Sequence, residues 1–199
     1  VFSVGQSYPL LSWTSGSAPA VNLGTLIGAT GNLTTNGNTI RLNVTALALF
    51  WSGATDGIWN TTTANWLLGG GATQYSDPSP VVFDDSATGP TGVTISGMVQ
   101  PANVTVYNNN AVYSIASSPG NAIGGSGNLI KSGNGSLTLS GGANTYIGST
   151  VINGGVLSVG ALANGGAASD IGAAPGGAAN LVINGGTLQY TGAGASSDR

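Results

Sequence analysis

The sequence predicts an all-β chain wound as a stacked β-solenoid, and three observations carry that prediction. A phrase is written twice: VINGGVLSVG starts at Val151 and VINGGTLQYTG starts at Val182. Asn-Gly is followed at four places by alternating apolar and polar residues, the period of a strand with one buried face. No stretch carries an apolar stripe at helical spacing. The one Ala-rich run, Ala161 to Ala179, is broken by Gly165, Gly166, Gly172, Pro175, Gly176 and Gly177. It leaves room for no more than a short helical turn near Ser169 or Asp170.

The turns and the ladder follow in chain order. Asn36-Gly37 leads into Ile40, Leu42 and Val44, and Asn134-Gly135 into Leu137 and Leu139. Asn153-Gly154 leads into Leu157 and Val159, and Asn184-Gly185 into Leu188 and Tyr190. Shorter alternating runs stand at 93–95, 104–106 and 113–115. Asn-Gly also suits a hairpin, and the arms STVI before Asn153 and NLVI before Asn184 fit one. The arm IKSG before Asn134 is a poor strand, so the turn-then-strand half recurs more faithfully than the strand before it. That favours coils that bury their apolar faces only against their neighbours. An antiparallel β-sandwich of hairpins is the alternative. Close backbone approach or positive φ at Gly154 and Gly185 would leave no space for a Cβ.

Three regions are expected. Residues 1–48 read as the tail of a preceding β-rich unit, 49–86 as a Trp-rich junction and loop, and 87–199 as solenoid coils. The chain opens on Val1 in mid-pattern, with no initiator Met or signal peptide, and stops at Arg199 without an evident cap, so it reads as a piece of something longer.

Composition narrows the function. The 199 residues include 35 Gly, and only 5% are charged, against about 25% in a typical domain. There is no Cys, His or Glu. The acids are Asp56, Asp77, Asp84, Asp85, Asp170 and Asp198; the bases are Arg41, Lys131 and Arg199. Three bases cannot form the patch that nucleic acid requires, nor dock the chain on anionic lipid. The strongest apolar run, Val44 to Trp51, is far shorter than the ~20 residues of a membrane-spanning helix. No Cys means no disulfide and no thiolate metal site.

Enzyme chemistry finds few residues to work with. Glycoside hydrolysis needs two convergent carboxyls, and neighbours on a strand point to opposite faces. Asp84 and Asp85 therefore diverge, and YSDPSPVVFDDSATGP reads as a loop in which Asp77 and the Asp pair make turns rather than a calcium site. Nucleophile–base pairs fail without His, Cys or Glu. No cofactor and no metal is expected. Trp51, Trp59 and Trp66 admit two readings: a plug at a junction between units, or a platform that stacks on a glycan. The sequons at Asn32, Asn43, Asn60, Asn103 and Asn134 are those that chance gives an Asn/Thr-rich chain.

One stretch resembles a known family. GSGNLIKSGNGSLTLSGGANTYIGSTVINGGVLSVG, from Gly125 to Gly160, is similar to the passenger-associated β-strand repeat of bacterial autotransporters and other large surface proteins. Leu129, Lys131, Gly133, Gly135, Leu137, Leu139, Asn144, Tyr146, Gly148, Thr150, Asn153, Gly155 and Leu157 fall at the family's positions, with Ile152 where Val is usual. WSGATDGIWNTTTANW, Trp51 to Trp66, resembles the Trp-rich lead-in to such repeats, and VFSVGQSYPLLSW resembles the tail of a preceding unit. The resemblance implies a right-handed parallel β-helix outside the bacterial cell, and the family transfers no catalytic residues. Lys131, in the family's Lys place, is expected to cap the apolar stack with its stem while its charge stays in water.

The function expected is structural and non-enzymatic: a stretch of extracellular, cell-surface fibre or stalk built of stacked β-coils. A nearly uncharged coat and strand edges without Lys or Pro point to units that associate end to end into filaments, through those edges or through the Trp51–Trp66 segment. The alternative is an adhesin passenger that binds a surface glycan or a host ligand. A polysaccharide-active β-helix enzyme comes third, since the sequence offers no acidic cluster.

Overall fold

The computed structural model describes residues 3–23 and 28–199. Val1 and Phe2, which begin the opening stretch, lie outside the described residues. Among the described residues every regular element is a strand except one 3-10 turn at Ala178–Asn180. That turn lies in the Ala/Gly run, though later than Ser169–Asp170.

The first three strands form a sheet of their own. β1 (Ser7–Ser12), β2 (Ala29–Asn36) and β3 (Thr39–Leu47) are antiparallel in the order β1-β3-β2. Asn36 pairs with Thr39, so Gly37 and Asn38 form a two-residue hairpin loop. Ile40, Leu42 and Val44 alternate inward along β3. Leu42 and Val44 pack with Ala29 in a small core separate from the main one. The Asn36-Gly37 phrase thus departs from the stacked turn expected of it: alternating strands flank it on both sides, and they pair with each other.

The remaining strands build two larger sheets. β4 (Leu49–Trp51), β6 (Trp66–Leu68), β7 (Gly71–Thr73), β8 (Val81–Asp84), β10 (Asn103–Tyr107), β12 (Asn128–Ser132), β14 (Thr150–Ile152) and β16 (Leu181–Ile183) form one, in the order β16-β14-β12-β10-β8-β4-β6-β7. β5 (Ile58–Trp59), β9 (Gly92–Ile95), β11 (Val112–Ala116), β13 (Ser136–Ser140), β15 (Val156–Val159) and β17 (Thr187–Tyr190) form the other, in the order β17-β15-β13-β11-β9-β5. From β8 onward the chain alternates between the two sheets, and each strand pairs in parallel with its equivalent one circuit later. Parallel pairing starts at Leu49, opposite Val81. Antiparallel pairs in these two sheets are confined to β4–β6 and β6–β7. A sandwich of hairpins does not describe them.

Side chains stack in columns because the registers hold. Val81, Val104, Leu129, Thr150 and Leu181 lie one above another, and so do Phe83, Val106, Lys131, Ile152 and Ile183. In the second sheet Tyr113, Leu137, Leu157 and Leu188 make one column, and Val93, Ile115, Leu139, Val159 and Tyr190 another. Between circuits a third line of contact runs through the loops. Val99 bridges Ile123, the Tyr146 N–H donates to Ile123 O (3.2 Å), and the Ala173 N–H donates to Tyr146 O (2.8 Å). These inward columns line the enclosed core, so each circuit depends on its neighbours for burial.

Candidate functional site

Three groups of residues stand out: an aromatic end, a set of polar side chains inside the core, and the turns between the sheets. The aromatic end is built by the Trp-rich segment. Trp51, Trp59 and Trp66 are each 0% exposed. Trp51 meets Trp66 edge-on at 5.0 Å, and Trp59 meets Trp66 at 5.3 Å and Tyr75 at 5.5 Å. Phe83 touches all three indoles and passes the contact to Tyr113 at 5.5 Å. These spacings lie within the favourable range for aromatic pairs, about 4.5–7 Å. Asn65 makes the fold of this segment possible. Its Oδ1 accepts from the Thr55 and Asp56 N–H groups (both 3.0 Å), while its amide donates to Asp56 Oδ1 (2.6 Å) and Ile58 O (2.9 Å). Trp51 donates its indole N–H to Pro90 O at 2.9 Å, whereas those of Trp59 and Trp66 have no hydrogen-bond acceptor. No ring of the three is open to a sugar.

Titratable groups near this end are held neutral or ionised by their surroundings. Burial raises the phenol pKa of Tyr75, and its hydrogen bond to Asp77 raises it further. Tyr113 is raised mainly by burial, while its hydroxyl donates to Asp84 O at 2.7 Å. Asp85 is lowered because its carboxylate accepts the N–H groups of Ala111 (2.8 Å), Asn109 (3.0 Å) and Asn110 (3.1 Å). Asp84 instead caps its own turn through Ser86. The adjacent acids serve different turns and do not converge.

The polar residues of the family resemblance lie inside the stack. Lys131 occupies the inward column between Val106 and Ile152 and is 0% exposed. Its Nζ donates to Ser132 O (2.8 Å), Gly133 O (3.2 Å) and Gly154 O (3.4 Å). The ammonium does not reach water as expected: the carbonyls of two successive turns hold it inside. Burial depresses its pKa to about 8, against a smaller opposing pull from Asp85. Thr150 fills a column otherwise apolar and bonds the Tyr146 hydroxyl at 2.8 Å. Asn144 accepts the Ile123 N–H (3.0 Å) and donates to Asp170 O (3.1 Å), clamping three circuits. Each polar group has a partner, which is the condition for burying it without a large desolvation loss.

Asp170 carries a role that the sequence did not signal. It is 0% exposed, and its carboxylate accepts the Gly142 N–H (2.7 Å) and those of Gly160 and Ala161 (both 2.8 Å). It pins the base of an insertion: Thr150 follows Leu129 by 21 residues in the same column, and Leu181 follows Thr150 by 31. Arg199 ties the far side of that insertion through Ala163 O (2.9 Å) and Ile171 O (3.1 Å). Nothing local marks either residue, because their partners are remote backbone groups.

The turns are placed as follows. Asn134-Gly135, Asn153-Gly154 and Asn184-Gly185 all lie between a strand of the first sheet and one of the second. Asn184 Nδ2 faces Asn153 Oδ1 at 3.4 Å, so these two stack. Positive φ falls on Gly155 (63°) and Gly185 (96°). Gly154 has no positive φ, but a Cβ there would stand 3.1 Å from Gly133 O. A further Asn-Gly, Asn164-Gly165 in the insertion, escapes the alternation test because no strand follows it. Among the described residues no three of His, Cys, Asp or Glu gather as metal ligands, and no helix is long and apolar enough to cross a membrane.

Comparison with known proteins agrees with this geometry. The family model described as Passenger-associated-transport-repeat matches residues 129–159, the stretch that holds Lys131, Asn144, Tyr146, Thr150 and Gly155. The adhesin BmaC autotransporter of Brucella suis biovar 1 (strain 1330) is 41% identical over 140 residues, 66% of this chain and 4% of that protein. The chain therefore spans a small part of the length of this curated relative. No solved structure matches. The chain carries a repeat of the passenger-associated family of autotransporters, and belongs with the secreted, cell-surface proteins of bacteria.

Proposed function

We propose that this chain is a non-enzymatic stretch of an adhesin passenger, folded as a right-handed parallel β-helix that acts as a rigid spacer on the cell surface. The observation that carries the reading is the unbroken parallel register from β8 to β17, in which each circuit pairs with the next. Successive circuits advance by one strand spacing, about 4.8 Å, so the stack gains length steadily. The buried Lys131 and Asn144 fasten circuit to circuit rather than facing outward. The name of the relative, an adhesin, supports a passenger whose ligand contacts lie elsewhere or on loops of the same stack. End-to-end self-association belongs to the same reading, with the uncharged strands β16 and β17 as the joining edge rather than the buried Trp cluster.

The second reading is that this stretch itself binds a glycan or host ligand. The two are separated by replacing residues 49–191 in the parent protein with an unrelated β-solenoid of equal length. A spacer role predicts that adhesion and surface reach are kept. Loss of adhesion with normal surface display would overturn the spacer and favour direct binding. Sedimentation of the purified parent over a range of concentration tests self-association, and a monomer throughout would remove it.

A further inference from the structure

We infer that Asn153 and Asn184 are sites of spontaneous deamidation, and that the fold shields Asn134 and Asn164 from the same reaction. The chemistry is intrinsic to an Asn-Gly step. The glycine nitrogen loses its proton and attacks the asparagine Cγ. A C–N bond forms, ammonia leaves, and water opens the resulting succinimide at either carbonyl to give aspartate or isoaspartate. Glycine offers no Cβ to obstruct the ring closure. The remaining requirements are structural: the glycine N–H must be free of an acceptor, and the asparagine side chain must be free to turn.

The side chains of all four asparagines are exposed, so the turns differ on the first requirement, the glycine N–H. The Gly135 N–H donates to Asn108 O at 2.8 Å, and the Gly165 N–H donates to Asp198 Oδ1 at 2.6 Å. Attack at Asn134 or Asn164 must first break one of these bonds. The N–H groups of Gly154 and Gly185 meet no acceptor among the described residues, and the Asn153 and Asn184 side chains are exposed. The contacts that hold those side chains are long: Asn184 Nδ2 to Asn153 Oδ1 is 3.4 Å, and Asn153 Nδ2 to Ser132 Oγ is 3.5 Å. Bonds at that length restrain little.

The products would change the stack. A carboxylate at residue 184 places an acceptor against the Asn153 oxygen where a donor stood. Isoaspartate adds a methylene to the main chain between β14 and β15, or between β16 and β17, where one turn sets the register of both sheets. An uncharged corner becomes acidic as the protein ages.

The test is peptide mapping by mass spectrometry of the folded chain held in mildly alkaline buffer, with the urea-unfolded chain alongside. Unfolded, all four sites should convert at similar rates. Folded, Asn153 and Asn184 should convert about tenfold faster than Asn134 and Asn164, the order expected when a backbone hydrogen bond must first open. Asp198→Ala frees the Gly165 N–H and should bring Asn164 up to the rate of Asn153. Conversion of Asn134 at the rate of Asn153 in the folded chain, or an Asn164 rate untouched by Asp198→Ala, would overturn the inference.

Discussion

Gly155 lies against the buried ammonium of Lys131. A Cβ at Gly155 would stand 2.8 Å from Nζ, and the backbone there has a φ of 63°. Two separate constraints therefore fall on one residue. Positive φ disfavours any side chain, and the space a side chain would need is filled by the cation, by Gly133 O, which accepts from it, and by Gly135 O.

Gly155→Val should destabilise by roughly 3 kcal/mol or more, since a β-branched residue at positive φ adds strain to the clash. Gly154→Val, next to it, meets only Gly133 O at 3.1 Å without positive φ. It should cost about 1 kcal/mol, the ordinary scale for a tight but adjustable contact. Urea unfolding of the two variants checks the order, and equal midpoints would show that the turn adapts.

Stability should rise with pH above about pH 8. The folded pKa of Lys131 is near 8, below the ordinary value of about 10.4. Below pH 8 both states hold the proton and the cost of burying the charge is present in full. Between 8 and about 10 the unfolded chain binds more protons, so the folded state gains, by about 1–3 kcal/mol. Above about 10 the trend reverses, because burial keeps Tyr75, Tyr113 and Tyr146 protonated only in the folded state. In Lys131→Met the rise between 8 and 10 should vanish while the fall at higher pH remains. Denaturation at a series of pH values reads both limbs.

Asp170→Ala should loosen the insertion before the rest of the stack. It removes the acceptor of three N–H groups, and buried donors left without a partner cost about 1–3 kcal/mol each. Hydrogen exchange should show lost protection at Gly142, Gly160 and Ala161, with β10 to β13 unchanged. Uniform loss along the chain would mean that the insertion and the stack open together.

Trp66→Ala should cost about 3–5 kcal/mol, the range for removing a large buried aromatic. Near-ultraviolet circular dichroism should lose the signal of the coupled indoles. In the intact protein, sugars should not quench tryptophan emission from this cluster, because all three rings are 0% exposed. Quenching that disappears in Trp66→Ala would restore the glycan platform.

Much of the stack was legible in the sequence, since alternation is a local property. Once Leu137 and Leu139 face inward, Thr138 must face out, and the same rule places Leu129 and Lys131 on one wall. The phrase VINGG marked equivalent turns because equivalent turns meet equivalent surroundings: Ile152 sits over Lys131 and under Ile183. The absence of a helical stripe settled the class, and the single 3-10 turn is the only helical element described.

Pairing direction was not local. Asn36-Gly37 and Asn153-Gly154 are the same dipeptide, yet one closes a hairpin and the other turns between two parallel sheets. The dipeptide supplies a bend; which strand then lies alongside is set by contacts remote from it in sequence. The ladder residue Leu42 accordingly ended in a small separate core with Val44 and Ala29. Polar partners across circuits were hidden for a related reason. Lys131 reaches Gly154 O and Asp170 reaches Gly142 N across 23 and 28 residues, separations that change with every insertion in the loops. The sequence by itself determined which side chains face inward, because that follows from a period of two. Tertiary structure alone decided which backbone groups receive the buried charges, because burial removes water and leaves each charge to whatever oxygen or N–H the neighbouring circuit brings within reach.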